Sequence, residues 1–129
     1  IQESAFACAA KAKREFVATS RGRDLRIIVI GGRVVGCMER TAAEDSFKAN
    51  FSQGGFVAPY PLNSAIEELA IRTAEVLGLD IAGIDLLFAD GMFKVCEANS
   101  SPGFEGMESC CGVNIAREIY ELVKNRIRR

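Results

Sequence analysis

Apolar residues along this chain follow two periods. From 24 to 40 they come in runs rich in Ile and Val, which predicts strands over 24–30 and 33–40, and the paired Gly31-Gly32 between them supplies the positive φ of a tight hairpin turn. A second pair of apolar runs, 81–88 and 93–99, flanks Asp90-Gly91, another strong hairpin signal. Helical spacing takes over elsewhere. Ser64 and Glu67 form a capping box ahead of Ile66, Leu69, Ala70, Thr73 and Leu77 on one face, with Gly78 as the stop. A last helix is predicted from about residue 115, with Ile115, Ile119, Leu122 and Val123 on one stripe and a basic end that suits the helix dipole. An Ala-rich segment, 1–14, reads as a short helix over 2–13, and 15–18 as a further strand before the turn Thr19-Ser20-Arg21-Gly22.

Two stretches lack a period. Residues 41–61 are polar and carry Gly54-Gly55, Pro59 and Pro61; a loop of that length usually has a function. Residues 100–112 read as a second glycine-containing loop. Hairpins followed by a helix, twice over, define an α+β fold: a mainly antiparallel sheet with flanking helices.

Composition narrows the chemistry. With 49% hydrophobic residues, the 129-residue chain can bury a core, and 16 Lys+Arg against 17 Asp+Glu leave no long-range field to attract nucleic acid or a membrane surface. The expected location is cytoplasmic. Five cysteines without a C-x-x-C spacing argue against a disulfide frame or a zinc site, so they read as buried or idle thiols. The absence of histidine removes Ser-His-Asp and Cys-His catalysis. Any chemistry must use carboxylates, lysine or arginine.

Three hard oxygen donors, Asp85, Glu97 and Asn99, sit inside apolar strands where neutral residues would pack better. Glu97 and Asn99 are two apart and share a strand face. Asp85 joins them or not according to the turn. A two-residue Asp90-Gly91 turn puts Asp85 opposite Cys96, on the other face; a three-residue turn, Ala89-Asp90-Gly91, brings it onto the face of Glu97, and this second form is our expectation. Two carboxylates and a carboxamide make an oxygen-only half-shell suited to magnesium or manganese, whose remaining ligands are waters and substrate phosphates. Taken by itself, the same hairpin also reads as an incidental one with solvated acids.

The order of motifs resembles a known family. Ala82-Gly83-Ile84-Asp85 followed by Glu97-Ala98-Asn99-Ser100-Ser101-Pro102-Gly103-Phe104-Glu105-Gly106 resembles the metal-binding signature of ATP-grasp ligases, and its ending is similar to that of the RimK-type glutamate ligases. Glu15-Phe16 followed by Gly22-x-Asp24-Leu25-Arg26, then Glu39-Arg40, Phe47-Lys48-Ala49-Asn50 and Gly54-Gly55, agree with that family in order. The segment Lys48-Ala49-Asn50 departs from an Arg-Ser-Asn common in the family, keeping the charge but losing the planar fork of arginine.

The resemblance implies that 15–129 is the C-terminal subdomain of an ATP-grasp fold, with the N-terminal domain and the lid absent. It implies ATP and Mg2+ (or Mn2+) as cofactors, with two ions, and a ligase that joins glutamate to an acceptor carboxylate, a peptide tail or a small acid, through an acylphosphate. Asp85, Glu97 and Asn99 would hold metal; Glu15 and Phe16 would line the adenine pocket; Asp24 would reach the sugar side of the nucleotide; Lys48 and Asn50 would approach phosphate or metal. Arg26 and Arg40 are candidates to stabilise the charge that develops on the transferring oxygens. Asp85→Ala or Glu97→Ala is expected to abolish turnover and leave the fold. Half a cleft is expected to be inactive alone, and the alternative is a non-catalytic, excised or degenerate domain that self-associates into a homo-oligomer.

Overall fold

A computed structural model describes Ser20, residues 22–42 and residues 55–128. The readings made for 1–19 and for 43–54, among them Glu15, Phe16, Lys48 and Asn50, lie outside the described residues. Within them run β1 (Arg23–Ile30), β2 (Arg33–Thr41), β3 (Phe56–Pro59), α1 (Ser64–Val76), β4 (Ile81–Ala89), β5 (Met92–Asn99), α2 (Glu105–Cys111) and α3 (Ile115–Ile127). The strands form one antiparallel sheet in the order β3-β2-β1-β4-β5.

β1 is the spine of the sheet. Its odd-numbered residues Leu25, Ile27 and Val29 pack with Ala82, Ile84 and Leu86 of β4 under Ile66, Ala70 and Ala74 of α1. Burying each large aliphatic side chain of this layer contributes about 1.5–3 kcal/mol. Its even-numbered residues point to the opposite face and change character along the strand: Asp24 and Arg26 first, then Ile28 and Ile30. Helices α2 and α3 cover only the second, apolar half, where Met107 and Ile115 close over Ile28, Ile30 and Met38. The first half of that face carries the charges.

Several sequence expectations change. Residues 41–61 are not loop throughout, because β3 pairs with β2 from Met38↔Pro59 to Thr41↔Phe56. Pro59 is tolerated there since β3 is an edge strand. The 100–112 stretch is not all loop either: it contains α2, which ends at Gly112 with φ 66. The cap of α1 is Asn63, whose side chain accepts the Ile66 N–H at 2.9 Å, so Ser64 is the first helical residue and not the cap. Val123, placed on the buried stripe of α3, is instead 46% exposed; Ile115 is buried, and Ile119 and Leu122 pack partly against the core.

Both hairpins turn in two residues. Gly31 and Gly32 have φ 59 and 78, and Asp90 and Gly91 have φ 50 and 79, so the expected three-residue turn at 89–91 is replaced by the shorter form. Each hairpin then skips one residue. The register passes from Val29↔Val34 to Ile28↔Gly36, leaving Val35 unmatched, and from Leu86↔Val95 to Asp85↔Glu97, leaving Cys96 unmatched. A bulge of this kind shifts every later residue to the other face.

Candidate active site

The two bulges assemble the charged face. Without the skip at Val35, a two-residue turn would set Asp24 opposite Glu39; with it, Asp24 faces Arg40. Without the skip at Cys96, Asp85 would face Cys96; with it, Asp85 faces Glu97. The β1–β4 register completes the row, since Arg26 faces Asp85 and Ile28 faces Gly83, which in turn faces Asn99. Asp24, Arg26, Arg40, Asp85, Glu97 and Asn99 therefore share one side of four adjacent strands.

Two arginines bind the row together. Arg26 donates from Nε to Asp85 Oδ1 at 2.8 Å and from Nη2 to Oδ2 at 2.9 Å. Arg40 makes the same fork onto Asp24, at 2.8 and 2.6 Å, and its Nη2 also reaches Asp85 Oδ2 at 3.2 Å. Asp85 is 2% exposed and Asp24 8%, so these carboxylates are tolerable only because they are paired. Burial pushes the Asp24 carboxyl above its ordinary range, with Arg40 pulling the other way. For Arg40, burial favours loss of the proton, but the Asp24 hydrogen bond and the charges of Asp85, Asp24 and Glu97 outweigh it and raise its pKa.

The oxygen atoms on this face are of the kind that suits a hard divalent cation. A carboxylate has about four acceptor positions, and the two guanidiniums take three of those on Asp85, leaving one on Oδ1. Glu97 lies directly across from Asp85, a like-charged pair that is unfavourable unless cations offset it. Asn99 Oδ1 accepts the Ser101 N–H at 2.9 Å, which fixes the amide and keeps a second lone pair. Among the described residues no three His, Cys, Asp or Glu side chains converge on a metal position, so a cation here would have to draw on two carboxylates and the Asn99 amide. That all-oxygen set, in a chain without histidine, fits magnesium.

Sequence reasoning missed how the wall of this site is held. Gly83 carries no side chain because Pro102 lies on it: a Cβ at Gly83 would stand 2.7 Å from Pro102 Cβ. The 100–103 loop is thereby folded back over β4, beside Asn99. Level with Gly83 on the far side of Ile28, Gly36 makes room for Met107, whose Sδ would be 2.6 Å from an added Cβ. The glycine in Ala82-Gly83-Ile84-Asp85 was a visible signal; its partner was not.

Residues 7–123 match the model of the RimK-like ATP-grasp domain. The chain belongs to the RimK-like ATP-grasp family. Over 115 residues it is 39% identical to a probable alpha-L-glutamate ligase of Psychromonas ingrahamii, a match that takes in 89% of this chain and 38% of that protein. Over 111 residues it is 40% identical to beta-citrylglutamate synthase B of Danio rerio, covering 85% of this chain and 27% of that one. The RimK-like chain thus spans well under half the length of these relatives. Its fold also matches a solved structure of the ATP-grasp ligase PsnB, complexed with a phosphomimetic variant of a minimal precursor, Mg and ADP, at a TM-score of 0.66 and 22% identity over 82% of this chain and 32% of that one.

Proposed function

We propose that this RimK-like chain is the metal- and nucleotide-facing C-terminal part of an ATP-dependent ligase that joins glutamate to an acceptor carboxylate. The observation that carries the reading is the row itself: Asp85, Glu97 and Asn99 on one sheet face, beside two arginines already fixed by carboxylates. In this reaction the γ-phosphoryl group of ATP passes to a carboxylate oxygen of the acceptor, giving an acylphosphate and ADP. The glutamate amine then attacks the acyl carbon, an amide bond forms, and phosphate leaves. Both steps gather negative charge on oxygen, and fixed cations lower the barrier by matching it.

Asp85, Glu97 and Asn99 would hold magnesium, which when bound neutralises phosphate oxygens and orients the triphosphate. Arg26 and Arg40 each keep a guanidinium edge, Nη1, that donates to no described residue, while Nε and Nη2 are anchored. Those edges are suited to anionic oxygens of the phosphoryl group or the acceptor. The glutamate and citrylglutamate activities named for the relatives support an amino-acid nucleophile and a small acid or peptide acceptor.

The test is ADP release by the ligase that carries this chain, coupled to mass detection of product, with glutamate and candidate acceptors supplied together and singly. Glutamate-dependent turnover that falls at least 100-fold in Glu97→Gln is expected. ATP hydrolysis indifferent to glutamate, with no ligated product, would refute the assignment.

A further inference from the structure

We infer that Cys110, Cys111 and Met38 form a sulfur-only binding site for a soft monovalent cation of the copper(I) class, independent of the ligase reading above. Neighbouring residues on a helix do not ordinarily face each other, yet the Cys110 and Cys111 sulfurs at the end of α2 approach to 3.4 Å. Cys110 Sγ also lies 3.9 Å from Met38 Sδ of β2, 72 positions away in sequence. The fold imposes this meeting. Met107 seats α2 against Gly36 of β2, the helix stops at Gly112 directly after the cysteines, and Cys111 Sγ turns in to the Cys37 carbonyl oxygen at 3.5 Å. Met38 faces Arg26 across β1 and β2, so this cluster borders the charged row and shares no ligand with it.

The donor set selects the ion. Thiolate and thioether together suit copper(I), whereas zinc asks for four ligands drawn from thiolate, imidazole and carboxylate. The chain has no histidine, and Glu108 of α2 is engaged elsewhere, its Oε2 accepting the Ile115 N–H at 2.9 Å. Three sulfurs set in a plane about 2.3 Å from one ion stand about 4 Å apart, so the 3.9 Å separation already fits and the 3.4 Å one opens by roughly half an ångström. Cys110 and Cys111 are free, partly exposed thiols and Met38 is buried behind them, which gives the site a mouth and a floor. Binding replaces two S–H bonds by two S–Cu bonds and releases two protons to solvent. Met38 contributes a lone pair, and no electron moves because the ion arrives already reduced.

The test is an anaerobic titration of the protein that carries this chain with copper(I) held as its bicinchoninate complex, the displaced chelator reporting affinity. Cys110→Ser and Cys111→Ser are each expected to weaken binding about 100-fold and Met38→Leu about tenfold, as loss of a thiolate and of a thioether ligand should. Cys96→Ser, on β5, should leave the affinity where it was. Affinity unchanged by Cys110→Ser or Met38→Leu, or lowered as much by Cys96→Ser, would overturn the inference. If the variants do not fold, the ε-methyl resonance of Met38 in the unaltered protein decides, with silver(I) as the probe. A Met38 shift that saturates together with loss of the Cys110 thiol supports the site, and a Met38 methyl that stays in place while that thiol is consumed removes it.

Discussion

Arg26 and Asp85 face each other across β1 and β4 and are joined by two hydrogen bonds of 2.8 and 2.9 Å, although 59 positions apart in sequence. This pair revises what a substitution at Asp85 should do. On the family resemblance alone, Asp85→Ala removes a metal ligand and spares the fold. The ion pairs indicate a second effect: it also leaves Arg26 without its partner and Arg40 with one fewer, both with side chains only 13% exposed. Breaking a buried pair from one side costs about 3–5 kcal/mol. Urea or thermal unfolding should therefore show Asp85→Ala markedly destabilised. Glu97→Gln, whose residue is only partly buried, should unfold close to the unaltered chain.

Gly83 and Gly36 both sit under a neighbour, but the neighbours differ in stiffness. Alanine at 83 would meet the ring of Pro102 at 2.7 Å, and a proline ring cannot rotate away. Overpacking of that sort costs about 1–3 kcal/mol, and it should displace the 100–103 loop beside Asn99. Alanine at 36 meets the Met107 side chain, which has other rotamers. Gly83→Ala should lower the melting temperature more than Gly36→Ala; the opposite ranking would mean that Pro102 is not pinned on β4.

The cap of α1 can be assigned by two single substitutions. Asn63→Ala removes the acceptor of the Ile66 N–H and should cost about 1 kcal/mol, read as a shift of the unfolding midpoint. Ser64→Ala should change it by no more than a few tenths, because alanine suits the first helical turn and no cap bond is lost.

Burial, with a contribution from nearby Cys111, pushes the Cys37 thiol up to about 12 from its ordinary 9.0. The unfolded chain releases that proton near pH 9 and the folded chain does not, so protons bind preferentially to the native state between those values. Stability contributed by this thiol is fully present below pH 9 and declines as pH rises toward 12, by up to about 1.4 kcal/mol per pH unit. Denaturant midpoints measured from pH 8 to 10.5 should fall, and Cys37→Ala should flatten part of that slope. An unchanged slope would place the pH dependence elsewhere, with Cys111, itself raised to about 11, the next group to replace.

How much of this was legible in the sequence depends on range. The strands were legible because Ile-rich and Val-rich runs end at Gly31-Gly32 and Asp90-Gly91, where positive φ is cheap. The short elements were not: β3 is four residues made into a strand by pairing with β2, and the seven residues of α2 give too few turns for a helical period to stand out. The grouping of Asp85 with Glu97 was anticipated through a three-residue turn, whereas the chain achieves it with a two-residue turn and a skip at Cys96. Gly36 next to Val35 is a local marker of the first skip, whereas nothing beside Cys96 marks the second. The arginine–carboxylate forks were equally hidden, since a sequence shows charges but not which of them meet.

Residue count between turn and charge thus sets which face of this sheet is charged. Two separate strands carry one residue more than straight pairing needs, and in both the surplus decides whether a charge emerges on the face shared by Asp85 and Arg26 or in the oil beneath α1. An alignment gap opened inside β2 or β5 is therefore a statement about which side of the sheet carries the charges, and homologues that differ in length there deserve comparison by strand register before they are compared by residue type.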